Sequence, residues 1–140
     1  MLVLIIEDEI LLANEWRTAF EAAGHRILMC QNVESGMTAC VAEQPDAVVL
    51  DFFFKDEAGN LTGDGALTFT TRLNIHCYET GTKPPVMIGI TASKPSDYFP
   101  IDVFAQLPKD MVVKRLRKPI SPVDLVAQVE YAVRGIGKSA

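Results

Sequence analysis

Ala47-Val48-Val49-Leu50-Asp51 is an unbroken apolar run that ends in a carboxylate, and Leu2-Val3-Leu4-Ile5-Ile6 runs likewise into Glu7-Asp8-Glu9. Short, continuous apolar runs of this kind predict strands buried on both faces. Two such strands in one parallel sheet would gather several acids at a single edge. Like charges held that close repel, and burial raises their pKa values unless a cation neutralises them. A bound hard divalent metal with oxygen ligands, Mg²⁺ foremost, is the simplest solution.

Outward from these two runs, strand and helix patterns alternate. Leu12, Trp16, Ala19, Phe20 and Ala23 fall at helical spacing and stop at Gly24. Arg26–Cys30 reads as a second strand. Asn32 can cap a helix that carries Val33, Met37, Cys40 and Val41 on one face and ends before Pro45. The third strand is expected over 47–52, followed by a loop rich in Gly, Asn and Asp over 54–64. A helix then offers Ala66, Phe69, Thr70 and Leu73 and ends near Gly81, and Val86–Thr91 is the fourth strand. Pro95, Pro100 and Pro108 break any long helix over 93–110, and 112–117 reads as the last strand. Ser121-Pro122-Val123-Asp124 is a capping box with Pro at the first helical position. Leu125, Val129, Ala132 and Ile136 form the buried stripe of that helix, which Gly135 and Gly137 are expected to end. Five strands alternating with about five helices predict an α/β, doubly wound parallel sheet, with its crevice at the carboxyl ends of the strands. Glu7, Asp8, Asp51, Thr91 and Lys118 all fall at or just past those ends.

A chain of 140 residues, 49% hydrophobic and 22% charged, can bury a real core in one domain. Its net charge of -5 argues against a nucleic-acid surface. Lys114-Arg115-Leu116-Arg117-Lys118 is explained as well by a strand with solvated edges as by a phosphate-binding patch. Residues 1–6 are too short a run to span a membrane and lack the features of a signal peptide. Cys30, Cys40 and Cys77 share no metal-like spacing, and reduced thiols suit the cytosol. Cys40 reads as a small core residue. His25 and His76 read as solvated and outside any chemistry.

Glu7-Asp8, Asp51, Thr91-Ala92 and Lys118-Pro119, in that order and near that spacing, resemble the receiver domain of two-component response regulators. The resemblance spans essentially the whole chain, with 1–137 as the domain and 138–140 as a frayed tail. It implies a flavodoxin-like fold with sheet order 2-1-3-4-5. It also implies that Asp51 accepts a phosphoryl group from a histidine kinase or phosphotransfer protein. Asp8, Asp51 and the backbone carbonyl of Phe53 would bind Mg²⁺ (or Mn²⁺) directly, with Glu7 acting through a metal-bound water. Lys118 would pair with Asp51 and later with a phosphoryl oxygen, and Thr91 would hydrogen-bond the same group. Each residue also has a plainer reading: strand-end polar groups, a helix-capping acid, a solvated loop lysine. Glu9 reads as a first-turn acid that complements the helix dipole.

The function implied is a stand-alone, cytoplasmic phospho-switch, not an enzyme, that signals to an unknown protein partner. Neither nucleic acid nor membrane is expected as a partner, and a homodimer is compatible with the resemblance. A degenerate receiver that docks a partner without phosphorylation is the alternative. An aspartate-dependent phosphatase is disfavoured, because those hydrolases carry a second Asp where Phe53 stands. Flavin binding is disfavoured because the acids would repel its phosphate. The chain departs from the family at Arg115, where an aromatic residue is usual, in the longer loop after Asp51, and in the irregular fourth-helix region 93–110. Phe53 either shields an acyl phosphate from water or simply packs under that loop.

Overall fold

The computed structural model describes residues 1–51, 54–55, 61–62, 64–91 and 113–138. In chain order the elements are β1 (Leu2–Ile6), α1 (Ile10–Ala22), β2 (Arg26–Cys30), α2 (Val33–Glu43), β3 (Ala47–Asp51), β4 (Phe54–Lys55), β5 (Leu61–Thr62), α3 (Asp64–Thr80), β6 (Val86–Thr91), β7 (Val113–Arg117) and α4 (Pro122–Lys138). Five strands pair in parallel in the order β2-β1-β3-β6-β7. Counted among themselves they run 2-1-3-4-5, the flavodoxin-like order. The expected loop 54–64 contains an antiparallel ribbon in which Phe54 pairs with Thr62 and Lys55 with Leu61. The structure describes four helices; the irregular region expected over 93–110 lies outside the described residues, as do Phe53 and Ala92.

The alternation of side chains along each strand divides the core in two. Leu4, Ile6, Val48, Leu50 and Met87 face α2 and α3, where Cys40, Phe69, Leu73 and Cys77 meet them. Val3, Ile5, Val49, Ile88 and Ile90 face α1 and α4, meeting Trp16, Phe20, Leu125 and Val129. Both faces of the sheet are therefore dry, which is why its central strands show no polar alternation. Cys40 is a core residue as expected. Burial, with smaller contributions from the neighbouring Cys30 and Cys77, pushes its thiol up to about 12, so it packs rather than reacts.

The helix ends follow local chemistry. The Asn32 side chain accepts a hydrogen bond from the Ser35 N–H at 2.9 Å, and Ser121 Oγ accepts one from the Asp124 N–H at 3.1 Å. Gly24 closes α1 with φ of 90°, a conformation that other residues adopt at a cost. Val41 departs from expectation: it is exposed, because the buried stripe of α2 runs through Val33, Gly36, Met37 and Cys40 and leaves Val41 on its outer shoulder. Ala23 is exposed at the end of α1. On α4, Leu125, Val129 and Ala132 pack as expected and are joined by Val126, whereas the Ile136 side chain lies outside the described ones. The helix continues past Gly135 and Gly137 to Lys138, because glycine weakens a helix without forbidding one.

His25 also differs from its solvated reading. Its Nε2 lies 2.9 Å from Glu130 Oε2 and its Nδ1 3.2 Å from the amino group of Met1. The ring meets Phe20 edge-on, where the start of β1, the end of α1 and α4 converge. His76 is half-buried beside Cys40 and Cys77. Among the described residues no helix is long and apolar enough to cross a membrane.

Two glycines test this packing in opposite directions. A Cβ on Gly36 would overlap Ile6 Cδ1 and lie 3.0 Å from Ile6 Cγ1, whereas a Cβ on Gly135 meets nothing within 4 Å. In urea denaturation Gly36→Val should lose about 1–3 kcal/mol. Gly135→Ala should gain about 0.5–1 kcal/mol. A stabilised Gly36→Val would contradict the close seating of α2 on β1.

Candidate functional site

Parallel register brings the carboxyl ends of the central strands to one edge. Ile6 pairs with Leu50, Asp51 with Ile90 and Thr91 with Arg117. Glu7 directly follows β1, Asp51 and Thr91 are the last residues of β3 and β6, and Lys118 directly follows β7. The sheet thus brings residues as distant in sequence as Glu7 and Lys118 to one edge, and the long Lys118 side chain spans the strands between them.

The carboxylates of Glu7, Asp8 and Asp51 place ligand oxygens within 4.8 Å of one another. Glu7 and Asp51 are buried, Glu7 to 2% exposure, while Asp8 is open to solvent. Lys118 Nζ donates to Asp51 Oδ2 at 3.2 Å and to Glu7 Oε2 at 3.3 Å. Glu7 Oε1 accepts the backbone N–H of Glu9 at 3.2 Å. Glu9 therefore acts through its main chain. It is the N-cap residue of α1, outside the first turn where it was expected, and its side chain makes no capping hydrogen bond. The Lys118–Pro119 peptide is cis.

Electrostatics match this geometry. Burial and the nearby Asp51 charge push Glu7 up from 4.5 to about 7, against the opposing pull of Lys118 and the Glu9 N–H. Burial works against the charge on Lys118, but the Asp51 and Glu7 carboxylates outweigh it and raise the ammonium above its ordinary range. Among the described residues, three carboxylates gather about one ammonium. All the clustered donors are hard oxygens, with a solvent-facing member in Asp8. That donor set fits a hard divalent cation and not a soft one.

The structure brings Glu7, Asp8, Asp51 and Lys118 together, and places the backbone of Thr91 at the same edge beside β7. Phe53 lies outside the described residues. The sequence reading paired Lys118 with Asp51 and missed its second bond to Glu7, which follows only from the crossing of chain ends. It also missed Trp16, treated as one apolar residue among several. The Lys118 ammonium stands over the Trp16 ring, 5.9 Å from its centroid. The chain's single tryptophan, about two helical turns past the acids, was the available signal.

Glu7 makes stability depend on pH. Between 4.5 and about 7 the folded protein keeps a proton on Glu7 that the unfolded chain has released, so stability falls as pH rises through that window. In chelator-treated protein, the wild type should lose on the order of 2–3 kcal/mol relative to Glu7→Gln across it. Parallel stability curves for the two proteins would refute the raised value.

No family model matches the chain, and no curated protein matches it. The likeness lies in structure. The chain is similar to a response regulator receiver domain protein from Clostridium thermocellum, with a TM-score of 0.72 and 16% identity over 99% of this chain and 98% of that one. A CheY-like receiver domain protein from Methanospirillum hungatei gives a TM-score of 0.72 and 15% identity over the same shares, 99% and 98%. The signal receiver domain of a modulated diguanylate cyclase from Desulfovibrio desulfuricans gives 0.72 and 22% identity, again over 99% and 98%. At such identities the likeness is one of fold, and this protein has the flavodoxin-like fold of response regulator receiver domains.

Proposed function

We infer that this protein is a phosphoacceptor switch of the two-component type, with Asp51 as the accepting residue. The observation that carries this reading is the Lys118 ammonium bonded to Asp51 and Glu7 at a strand-end edge crowded with acids. In this reading an Asp51 oxygen attacks the phosphorus of a phosphohistidine on a histidine kinase or phosphotransfer protein. The P–N bond breaks, its electron pair stays on the imidazole nitrogen, and an acyl phosphate forms on Asp51.

Glu7, Asp8 and Asp51, with the Phe53 carbonyl, would hold Mg²⁺ or Mn²⁺, which when bound supplies positive charge against the phosphoryl oxygens. Lys118 neutralises Asp51 before transfer and pairs with a phosphoryl oxygen afterwards, as a mobile point charge suits. Thr91 offers its hydroxyl to the same group. The added charge and acceptor oxygens then bias a surface read by a protein partner. We place this switch in the cytosol, where three unpaired thiols are at home, and read it as signalling by contact, without an enzyme activity on other substrates.

Incubation with acetyl phosphate and Mg²⁺, followed by intact-mass measurement, tests the reading. The wild type should gain one phosphoryl group, and Asp51→Asn or chelation should abolish the gain. Lys118→Ala should slow it by about 10²-fold or more, the scale of losing one charge-stabilising group. No adduct on the wild type, even with histidine-kinase phosphodonors supplied, would leave a docking module that works without phosphorylation.

A further inference from the structure

Lys118 is held from two sides, and only one of them is acidic. Beside the carboxylates lies the indole of Trp16, from the middle of α1, 1% exposed, with the ammonium over its ring. The chain on either side of the lysine rests on the same apolar cluster: Leu116 and Ile120 both pack against the group that contains Trp16, Ile5 and Ile90. An aliphatic side chain would fill this volume without burdening the fold. Trp16 instead buries an Nε1–H that has no hydrogen-bond partner among the described residues. A buried, unpartnered donor is unfavourable, so packing by itself gives no reason for an indole here. The ring's π face does give one, because it attracts a cation that has been partly withdrawn from water.

We propose that Trp16 is a positioning residue whose π face seats the Lys118 ammonium and keeps it aimed at Asp51 and Glu7. This rests on the phosphoacceptor reading for its consequence, though not for its geometry. A lysine side chain has four rotatable carbons and strong hydration. At this edge the solvent-facing Asp8 offers it a second direction. The indole lowers the energy of the inward conformation. It does so without competing as an acceptor, so the three donors of the ammonium remain for carboxylate and phosphoryl oxygens. Trp16 thus makes no bond to the reacting atoms and acts through Lys118.

The seat and its consequence are tested separately. Because the chain has one tryptophan, its indole N–H gives a single ¹H–¹⁵N cross-peak. Lys118→Met should move that peak, whereas Lys83→Met, on a lysine outside the cluster, should leave it in place. A peak that ignores Lys118→Met overturns the seat, whether or not the protein is ever phosphorylated. For the consequence, Trp16→Phe keeps a π face and Trp16→Leu does not. With acetyl phosphate and Mg²⁺, Trp16→Leu should accept the phosphoryl group about tenfold more slowly than wild type, and Trp16→Phe within about threefold. Both variants are brought to equal folded fraction by thermal melts before comparison. Equal rates for the two, or rates that simply follow their melting temperatures, would reduce Trp16 to a packing residue. A wild type that takes up no phosphoryl group defeats the phosphoacceptor reading, and the cross-peak still decides the seat.

Discussion

The carboxylates of Glu7 and Asp51 are buried at the ends of two adjacent central strands, and the ammonium of Lys118 bonds to both. That three-way contact, at 3.2 and 3.3 Å, reconciles a fold requirement with a chemical one. The parallel sheet needs β1 and β3 adjacent and dry, which drives their terminal acids together. Coulomb repulsion then has to be met within the pocket. Part of it is relieved by the lysine and part by the Glu9 N–H. Burial first, and then the remaining repulsion from Asp51, shows in Glu7, whose carboxyl is pushed up to about 7. The same clustered oxygens are a donor set of the kind a hard cation takes.

The rest of the structure holds this contact in place. Lys118 follows the edge strand β7, so its position is set by β7 pairing with β6 and by α4, whose Leu125 and Val129 are fully buried on the sheet. Glu7 is positioned by β1 and by the N-cap residue of α1. The same helix supplies Trp16, so α1 both secures an acid through the main chain of Glu9 and lays an aromatic ring under the cation. On the other face, Gly36 lets α2 come close enough to touch Ile6, the residue that immediately precedes Glu7. Packing on both sides of β1 therefore bears on the position of one carboxylate.

Structural likeness to receiver domains extends over nearly the full chain while identity stays at 15–22% in the three neighbours described. That combination has a physical basis. Core positions tolerate many apolar side chains of suitable volume, so the fold survives extensive substitution. A strand-end edge that gathers acids and a lysine survives only if those few side chains are kept. The thiols illustrate the permissive side: Cys40 and Cys77 fill core positions beside Leu73 and Phe69 as small apolar groups.

What the sequence by itself determined was whatever depends on local pattern. The apolar runs 2–6 and 47–51 could only be central strands, the helical stripes of α1 and α3 were legible from their spacing, and Asn32 and Ser121 announced their helices by capping chemistry. Strand ends then located Glu7, Asp8, Asp51, Thr91 and Lys118 near one edge without any coordinates. Tertiary structure decided what depends on contact between distant segments. It brought Lys118 to Glu7 as well as to Asp51, put Trp16 under the ammonium, drew His25 into contact with Glu130 and the amino terminus, and turned Val41 outward. It also carried α4 through two glycines that local propensity would have made its end. The division follows from range: hydrogen-bonded periodicity and capping act over a few residues and can be read in order. Which side chains share a buried space is set only when strands as far apart in sequence as β1 (Leu2–Ile6) and β7 (Val113–Arg117) close into one sheet.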